Sequence, residues 1–279
     1  MYVPAWGTHV IVRKVDQNTL DAIGTYPIAS LARNCDLVLG LEQLRQAGVI
    51  TVILVSDCLF GPGDIALREA FSYVRPFKTH YLIDPTYGHY LPTEHHRYEI
   101  RRAENHGVEV RTVRFFDILD EWTELYEQLI SRHQITGTQR FSRASFEALA
   151  RCDGLTTVAA FLGSTIVACH LWFQHDGIVW SHLAATSRDG YKHGAAFALH
   201  DYTIRTFSRE LINLGGAAGL DDASDGGLAL FKAGFSNRKH QSKLYGAVLD
   251  SKRYEALCLE GLSPKGDYFP WYRAPSTAT

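Results

Sequence analysis

Long apolar runs are missing from the sequence. No stretch approaches the roughly 20 consecutive apolar residues that a membrane-spanning helix needs. The N-terminal stretch MYVPAWGTHVIVRKV also lacks the charged start and apolar core of an export signal. We therefore expect a protein that is neither exported nor inserted in a membrane, and we expect it in the cytoplasm.

Cysteine is scarce and scattered. The five cysteines form no CxxC pair, and no cysteine–histidine cluster has the spacing of a zinc site. This pattern fits a reducing compartment and predicts no metal site.

Strong net charge is absent as well. The chain has 28 lysines and arginines against 30 aspartates and glutamates, a formal net charge of −2. Such a balance gives no global basic field to hold nucleic acid, although it is compatible with a local cationic groove. We expect no DNA partner, and charge leaves an RNA partner open.

Strand-like and helix-like segments alternate in the first third of the chain. Strand patterns occur in HVIVRKV, VITVILVSD and FKTHYLID, and helix patterns in CDLVLGLEQLRQAG and GDIALREAFSYV. This alternation predicts α/β layers. The stretch PTYGHYLP, with two prolines and a glycine, predicts a break between two domains, 1–92 and 93–279.

The remainder of the chain has a definite order of elements. A helix capped by Thr93 leads to the strand VEVRTVRF and to the helices DILDEWTELYEQLISRHQ and SRASFEALARC, the second capped by Ser142. Three strands, LTTVAAFLG, STIVACHLWFQ and IVWSHLAAT, then predict an antiparallel meander. A long helix, GYKHGAAFALHDYTIRTFSRE, precedes the strand LINLGG, the helix GGLALFKAGF and the last strand KLYGAVLD.

This order, from about Val108 to Asp250, is similar to that of the GNAT acyltransferase superfamily. The string LGGAAGLDDASDGGLALFKAGFS resembles the glycine-rich strand, acidic loop and FK-x-GF helix of its Fem-type branch. That branch includes the aminoacyl-tRNA-dependent peptidyltransferases that build cell-wall cross-bridges. HHRYEIRRAENHGVEVR and RHQITGTQRFS resemble two further segments of the branch, so the resemblance covers most of the chain from Thr93 onward.

The resemblance implies a fold and a reaction. The fold is α/β with tandem GNAT-like halves, the first degenerate, and a mixed sheet that splays open in its middle and is flanked by helices. The reaction is acyl transfer. The tRNA-using members often carry a helical coiled-coil arm in the second half, and this chain has no room for one.

The lysine of the FK pair is the first candidate catalytic residue. The resemblance implies that Lys232, with Phe231 beside it in the donor site, stabilises negative charge developing on the reacting ester oxygen. The physical logic is general, because a charge acts more strongly in a partly dry cleft of low dielectric. The competing interpretation is a surface lysine whose stem packs past Phe231 and Phe235.

Two histidines are candidates for proton transfer. Alternation in IVWSHLAAT predicts that His182, Ala184 and Thr186 share one face of a strand at the splayed centre of the sheet. His170 lies on the neighbouring strand. A histidine in a buried strand is more often a hydrogen-bonded core residue, so that alternative stays open for both, and we assign His182 to the site.

The start of the long helix is the candidate donor-binding segment. In acyl-CoA users, backbone N–H groups at this point hold the pyrophosphate, because unpaired amides and the helix dipole favour anions. In SRDGYKHGAA, Gly190 and Gly194 give backbone access, and Arg188 and Lys192 add positive charge. The usual arginine or glutamine three residues before the glycine is replaced by Tyr191. A capped helix start with a solvated face is the alternative.

Acidic residues are candidates for binding the acceptor. Asp57 ends a strand before a glycine–proline turn, a position where α/β proteins commonly place ligand contacts. Asp225 is the other candidate, with a helix cap as its alternative role. Asp221 and Asp222 are more simply interpreted as a solvated loop.

These residues together predict an acyltransferase in which the acceptor attacks a bound ester or thioester directly, without a tightly bound cofactor. The co-substrate is aminoacyl-tRNA, which we favour narrowly, or acyl-CoA. The acceptor is an amine or hydroxyl of a small molecule or peptide. A non-catalytic binding protein on a GNAT scaffold is the alternative from a different class.

Overall fold

The computed structural model describes residues 1–88, 90–217, 226–260 and 268–274. Its strands are β1 (Tyr2–Val3), β2 (Thr8–Lys14), β3 (Leu20–Gly24), β4 (Val49–Ser56), β5 (Tyr73–Ile83), β6 (Val108–Val113), β7 (Leu155–Leu162), β8 (Thr165–His175), β9 (Ile178–Thr186), β10 (Leu211–Asn213) and β11 (Arg238–Val248). Its α-helices are α1 (Leu37–Gln46), α2 (Asp64–Ala70), α3 (Glu94–Asn105), α4 (Leu119–His133), α5 (Arg143–Leu149), α6 (Arg188–Lys192), α7 (Ala195–Thr206), α8 (Gly227–Phe235) and α9 (Ser251–Glu260).

The chain divides into two compact units, residues 1–78 with 241–279 and residues 79–240. In the first unit the strand order is β1-β2-β3-β4-β11. β3 runs parallel to β4, and β11 runs antiparallel to β4, from Lys243 opposite Ser56 to Val248 opposite Thr51. This long-range pairing makes the end of the chain part of the first unit.

The expected domain boundary at residue 92 lies inside the second unit, because the chain passes between units near residues 78 and 240. A local sequence pattern such as PTYGHYLP predicts a turn. The two units, in contrast, are defined by strand pairing between distant parts of the chain. The division into GNAT-like halves at residue 92 stays a prediction.

The second unit is a mixed sheet with helices on both faces. Its strand order is β5-β10-β9-β8-β7-β6, and β7, β8 and β9 form the predicted antiparallel meander. Val158, Trp172 and Val179 belong to the core shared with α7 and α8, and Ala159 and Leu171 belong to the core shared with α4 and α5. These layers confirm the predicted α/β class with a mixed sheet flanked by helices.

The predicted long helix over residues 190–210 is wrong in one respect, because it is broken into α6 and α7. Gly194 separates them in a left-handed conformation with φ of 69°, which side-chain-bearing residues rarely adopt. The prediction of Ser142 as an N-cap is confirmed, since its Oγ accepts a hydrogen bond from the Ser145 N–H. Within the described residues, no helix is long and apolar enough to cross a membrane.

Candidate active site

The sheet of the second unit opens between β9 and β10. The two strands pair in parallel only from Ile178–Leu211 to Trp180–Asn213. Beyond that point β9 continues along β8 as far as Thr186. The chain after β10 continues along β5 instead, through the hydrogen bond from Leu214 N–H to the Tyr81 carbonyl. The sheet therefore splays apart on the carboxyl side of β9 and β10.

Lys232 reaches the backbone beside this opening. It lies on α8 and is half-buried, and its Nζ donates a 2.6 Å hydrogen bond to the carbonyl of Gly216. Gly216 is three residues beyond Asn213, in the part of the chain that has left β9. The ammonium group is therefore held level with the splayed part of the sheet.

An aromatic cluster forms around Phe231, the residue that precedes Lys232 on α8. The Phe231 ring lies 4.8 Å from His200 and 4.9 Å from Phe197, measured between ring centroids. Phe235 completes the cluster at 5.2 Å from Phe231. Low-polarity surroundings of this kind strengthen the field of a nearby charge.

Two histidines of the cluster have tautomers fixed by backbone carbonyls. His96 Nε2–H donates to the Phe231 carbonyl at 2.8 Å, which leaves Nδ1 to accept from the Thr93 hydroxyl at 2.8 Å. His200 Nδ1–H donates to the Ala196 carbonyl at 2.8 Å. Because both rings are held by α3 and α7, they fix the position of α8, which carries Lys232.

The histidines near the opening are neutral at pH 7. Burial is the main cause that lowers the pKa of His182 and of His200 to about 4. Burial also lowers the pKa of His96, and it lowers that of His170 well below its usual value. The positive charge of Lys232 lowers the pKa values of His170 and His200 further, which places all three groups within electrostatic reach of one another.

His182 occupies a bulge that shifts the expected alternation. Trp172 on β8 pairs with Ser181 and Leu171 pairs with Leu183, so His182 is the extra residue on β9. Its ring lies 5.3 Å from Phe173, which shares a face with Leu171. Ala184 pairs with His170 on the opposite face. The prediction that His182 shares a face with Ala184 and Thr186 is therefore wrong, because a bulge changes the phase of a strand.

The expected donor segment is a short capped turn. Ser187 Oγ accepts a hydrogen bond from the Gly190 N–H, and Arg188 and Lys192 are exposed. Gly190 packs against β8, since a Cβ there would lie 2.3 Å from the Val167 carbonyl oxygen. The geometry explains Gly190 by packing, and a donor-binding role for this segment stays a prediction.

Arg188 also lines a cleft of ≈ 710 Å³ on the α4 side of the sheet. Arg111 and Arg114 contribute further positive charge to it, and the acidic side chains there are Asp117, Glu121, Glu124 and Asp189. Because the cleft is lined by side chains of both charge signs, its electrostatics do not favour the binding of a polyanion.

Of the two acceptor candidates, Asp57 and Asp225, only Asp57 lies within the described residues. Asp57 lies in the first unit, where it is buried and its Oδ1 accepts from the Leu59 N–H at 3.1 Å. Asp221, Asp222 and Asp225 lie outside the described residues. Across the described ranges, no group of three or more His, Cys, Asp or Glu side chains is arranged to hold a metal ion.

Residues 94–216 match the family model described as an acetyltransferase (GNAT) domain. This segment is therefore similar to GNAT acetyltransferase domains. The matched segment runs from α3 to Gly216, three residues beyond β10, and includes the splayed part of the sheet, whereas Lys232 follows it on α8. No curated protein sequence matches the chain.

Solved structures share the fold over most of the chain. The C-terminal domain of a putative lysylphosphatidylglycerol synthetase from Agrobacterium fabrum is 15% identical with a TM-score of 0.62, covering 90% of this chain and 83% of that one. The L-PGS of Bacillus licheniformis is 16% identical with a TM-score of 0.59, covering 85% and 80%. FemX is 11% identical with a TM-score of 0.62, covering 88% and 85%. These structures confirm the predicted Fem-like GNAT fold, and the family match bears out the acyltransferase class.

Three residues around β9 and α8 were not predicted from the sequence. His96 and His200 lie on helices whose patterns indicate only an amphipathic face, and Ser181 is a small polar residue within an apolar strand. Only the packing of α3, α7 and α8 over β8 and β9 brings them together.

Proposed function

We propose that the protein transfers an aminoacyl group from aminoacyl-tRNA to an amine or hydroxyl of a small-molecule or peptide acceptor. The observation that carries this proposal is the position of Lys232, whose ammonium group is bonded to Gly216 beside the opened sheet and acts electrostatically on the neutral rings of His170 and His200. A fixed positive charge in such surroundings stabilises an oxyanion without reorganising.

The reaction follows from that position. The acceptor attacks the carbonyl carbon of the donor ester, and the carbonyl π electrons move to its oxygen, beside the Lys232 ammonium. Collapse of this intermediate expels the tRNA 3′ oxygen, which takes up the proton lost by the acceptor. His182, neutral at pH 7 and half-buried at the bulge, is our proposed carrier of that proton.

The donor choice rests on two observations. α6 is five residues long, its Gly190 N–H is already bonded to Ser187, and Asp189 adds negative charge to its first turn. These features weaken the start of α6 as a pyrophosphate site. Two of the similar structures come from proteins named for lysylphosphatidylglycerol synthesis, and the product in that name carries a lysyl group.

Acyl-CoA is the second candidate donor, and the family match favours it because that family is described as acetyltransferases. In that case Arg188, Lys192 and the backbone at Gly190 and Gly194 would contact the pyrophosphate, with Phe231 beside the acyl group. Asp57 and Asp225 remain our proposed acceptor contacts under either donor. We propose a cytoplasmic location, where both donors are made.

Thermal melting with separate ligands tests the donor. The ligands are acetyl-CoA, a long-chain acyl-CoA, total aminoacylated tRNA, and the same tRNA after deacylation as the matched control. We expect charged tRNA to raise the melting temperature, since a ligand selective for the folded state stabilises it, and the shift to shrink with salt. A shift with a CoA ester alone would replace our donor with acyl-CoA.

A further inference from the structure

Ser181 occupies the point at which the sheet opens. It is the first residue of β9 beyond the last pair with β10, Trp180 with Asn213. It pairs with Trp172 on β8, so its side chain lies on the face shared by His170 and Trp172. This face is covered by α7 and α8, and Ser181 is half-buried there.

The Ser181 hydroxyl is held by a histidine. Its Oγ lies 2.9 Å from His170 Nε2, while His170 Nδ1 and the neighbouring Trp172 Nε1 are buried without a hydrogen-bond partner in the described part of the chain. His170 and Trp172 are 2% and 0% exposed. Buried polar atoms in native proteins nearly always have a hydrogen-bond partner, so these two nitrogens without one require a specific explanation.

The unpaired Nδ1 indicates the tautomer of His170. A proton on Nδ1 would bury an unpaired N–H donor, whereas a proton on Nε2 leaves only an unpaired acceptor, and orphaned buried N–H groups are the rarer case. The Nε2–H then donates to Ser181 Oγ. The Ser181 hydroxyl proton is consequently directed to a different acceptor.

We propose that Ser181 donates its hydroxyl hydrogen bond to the carbonyl oxygen of the donor as negative charge develops there, with His170 as the positioning residue. This inference rests on the proposed function and assigns a second oxyanion contact to the same site. Lys232 reaches Gly216 beside the opening and acts electrostatically on His170. Ser181 keeps its proton throughout, and the acceptor's proton leaves with the expelled tRNA oxygen.

The test compares single variants with total aminoacylated tRNA as donor and hydroxylamine as the acceptor probe. Ser181→Ala is expected to lower kcat about 10²-fold, the effect of removing one oxyanion donor. The KM for charged tRNA is expected to stay unchanged, because the bond forms only in the transition state. Ser181→Thr keeps a hydroxyl and should restore most of the rate. Ser208→Ala, an exposed serine in the turn after α7, is the matched control.

His170→Phe tests the positioning role. It should lower kcat by about as much as Ser181→Ala does. The kcat of the double variant should be no lower than that of either single variant, because both substitutions remove the same contact. Nitrogen NMR of labelled histidine in the wild-type protein gives a readout independent of catalysis and of variant folding. We expect a neutral His170 with its proton on Nε2, and a proton on Nδ1 would overturn the inference.

Lys232→Met, assayed in parallel, separates this inference from the function on which it rests. A lower rate for Lys232→Met with an unchanged rate for Ser181→Ala overturns the role of Ser181 alone. If neither substitution changes the rate, or if the wild-type protein does not accelerate the reaction, the proposed function fails and this inference fails with it.

Discussion

The splayed edge beside β9 and the start of α6 both carry basic residues, but in opposite surroundings. Lys232 is half-buried, bonded to Gly216, and acts electrostatically on histidine rings that are neutral at pH 7. Arg188 and Lys192 are exposed on a five-residue helix. A charge in water is screened, whereas the same charge in low dielectric acts strongly on its neighbours. Burial, more than the number of charges, therefore separates our proposed catalytic cation from the solvated ones.

Removal of the Lys232 charge is expected to have the largest effect. Lys232→Met keeps most of the side-chain stem and should lower kcat by about 10²- to 10³-fold, because the developing oxyanion loses its stabilising charge. Steady-state transfer from charged tRNA measures the effect. Lys252→Met, at an exposed lysine on α9, is the control. An unchanged rate for Lys232→Met would return this residue to a structural role.

The packing that positions α8 is broken by a single methyl group. A Cβ at Gly234 would lie 2.0 Å from the His96 ring, so Gly234→Ala should lower the free energy of unfolding by about 2–3 kcal/mol. Gly227, on the same helix, has no atom within 4 Å of its Cβ position, so Gly227→Ala is the matched control. Denaturant unfolding measures both. Equal stabilities would show that α8 is not held by this contact.

The neutral histidines make stability depend on pH. The pKa of His200 is about 4 in the folded protein, below its usual 6.5, so the unfolded chain binds more protons between these values. The contribution of neutral His200 to the free energy of unfolding is complete above pH 6.5 and is lost as the pH falls toward 4. Between pH 7.5 and 4.5 the wild-type protein should lose about 2 kcal/mol more than His200→Gln. Parallel losses would mean that His200 is not buried as described.

The smallest effects are expected at α6. Arg188→Ala and Lys192→Ala remove exposed charges, which contribute about 0–1 kcal/mol each, so the KM for charged tRNA should rise less than about fivefold. The affinity of the same two variants for acyl-CoA tests the second candidate donor. A loss of acyl-CoA binding above about tenfold would favour the pyrophosphate site and the second donor.

The site was only partly predictable from the sequence. The FK pair indicated Lys232, and its position beside the opened sheet agrees with the role we assign to it. The alternation of IVWSHLAAT predicted the wrong face for His182, because a bulge depends on the register with β8 and leaves no local signal. His96 and His200 gave no signal, since a histidine on an amphipathic helix acquires a role only through what packs against it.

The sequence alone specified the identity and order of most elements, because hydrophobic period, caps and turn residues act within a few positions. It predicted the meander and the α/β class correctly. Three other features were set by long-range packing: β11 joins β4, Gly194 breaks a long helix in two, and β9 separates from β10 after Trp180. These features depend on contacts between residues far apart in the chain, and the splayed edge that holds Lys232 is one of them.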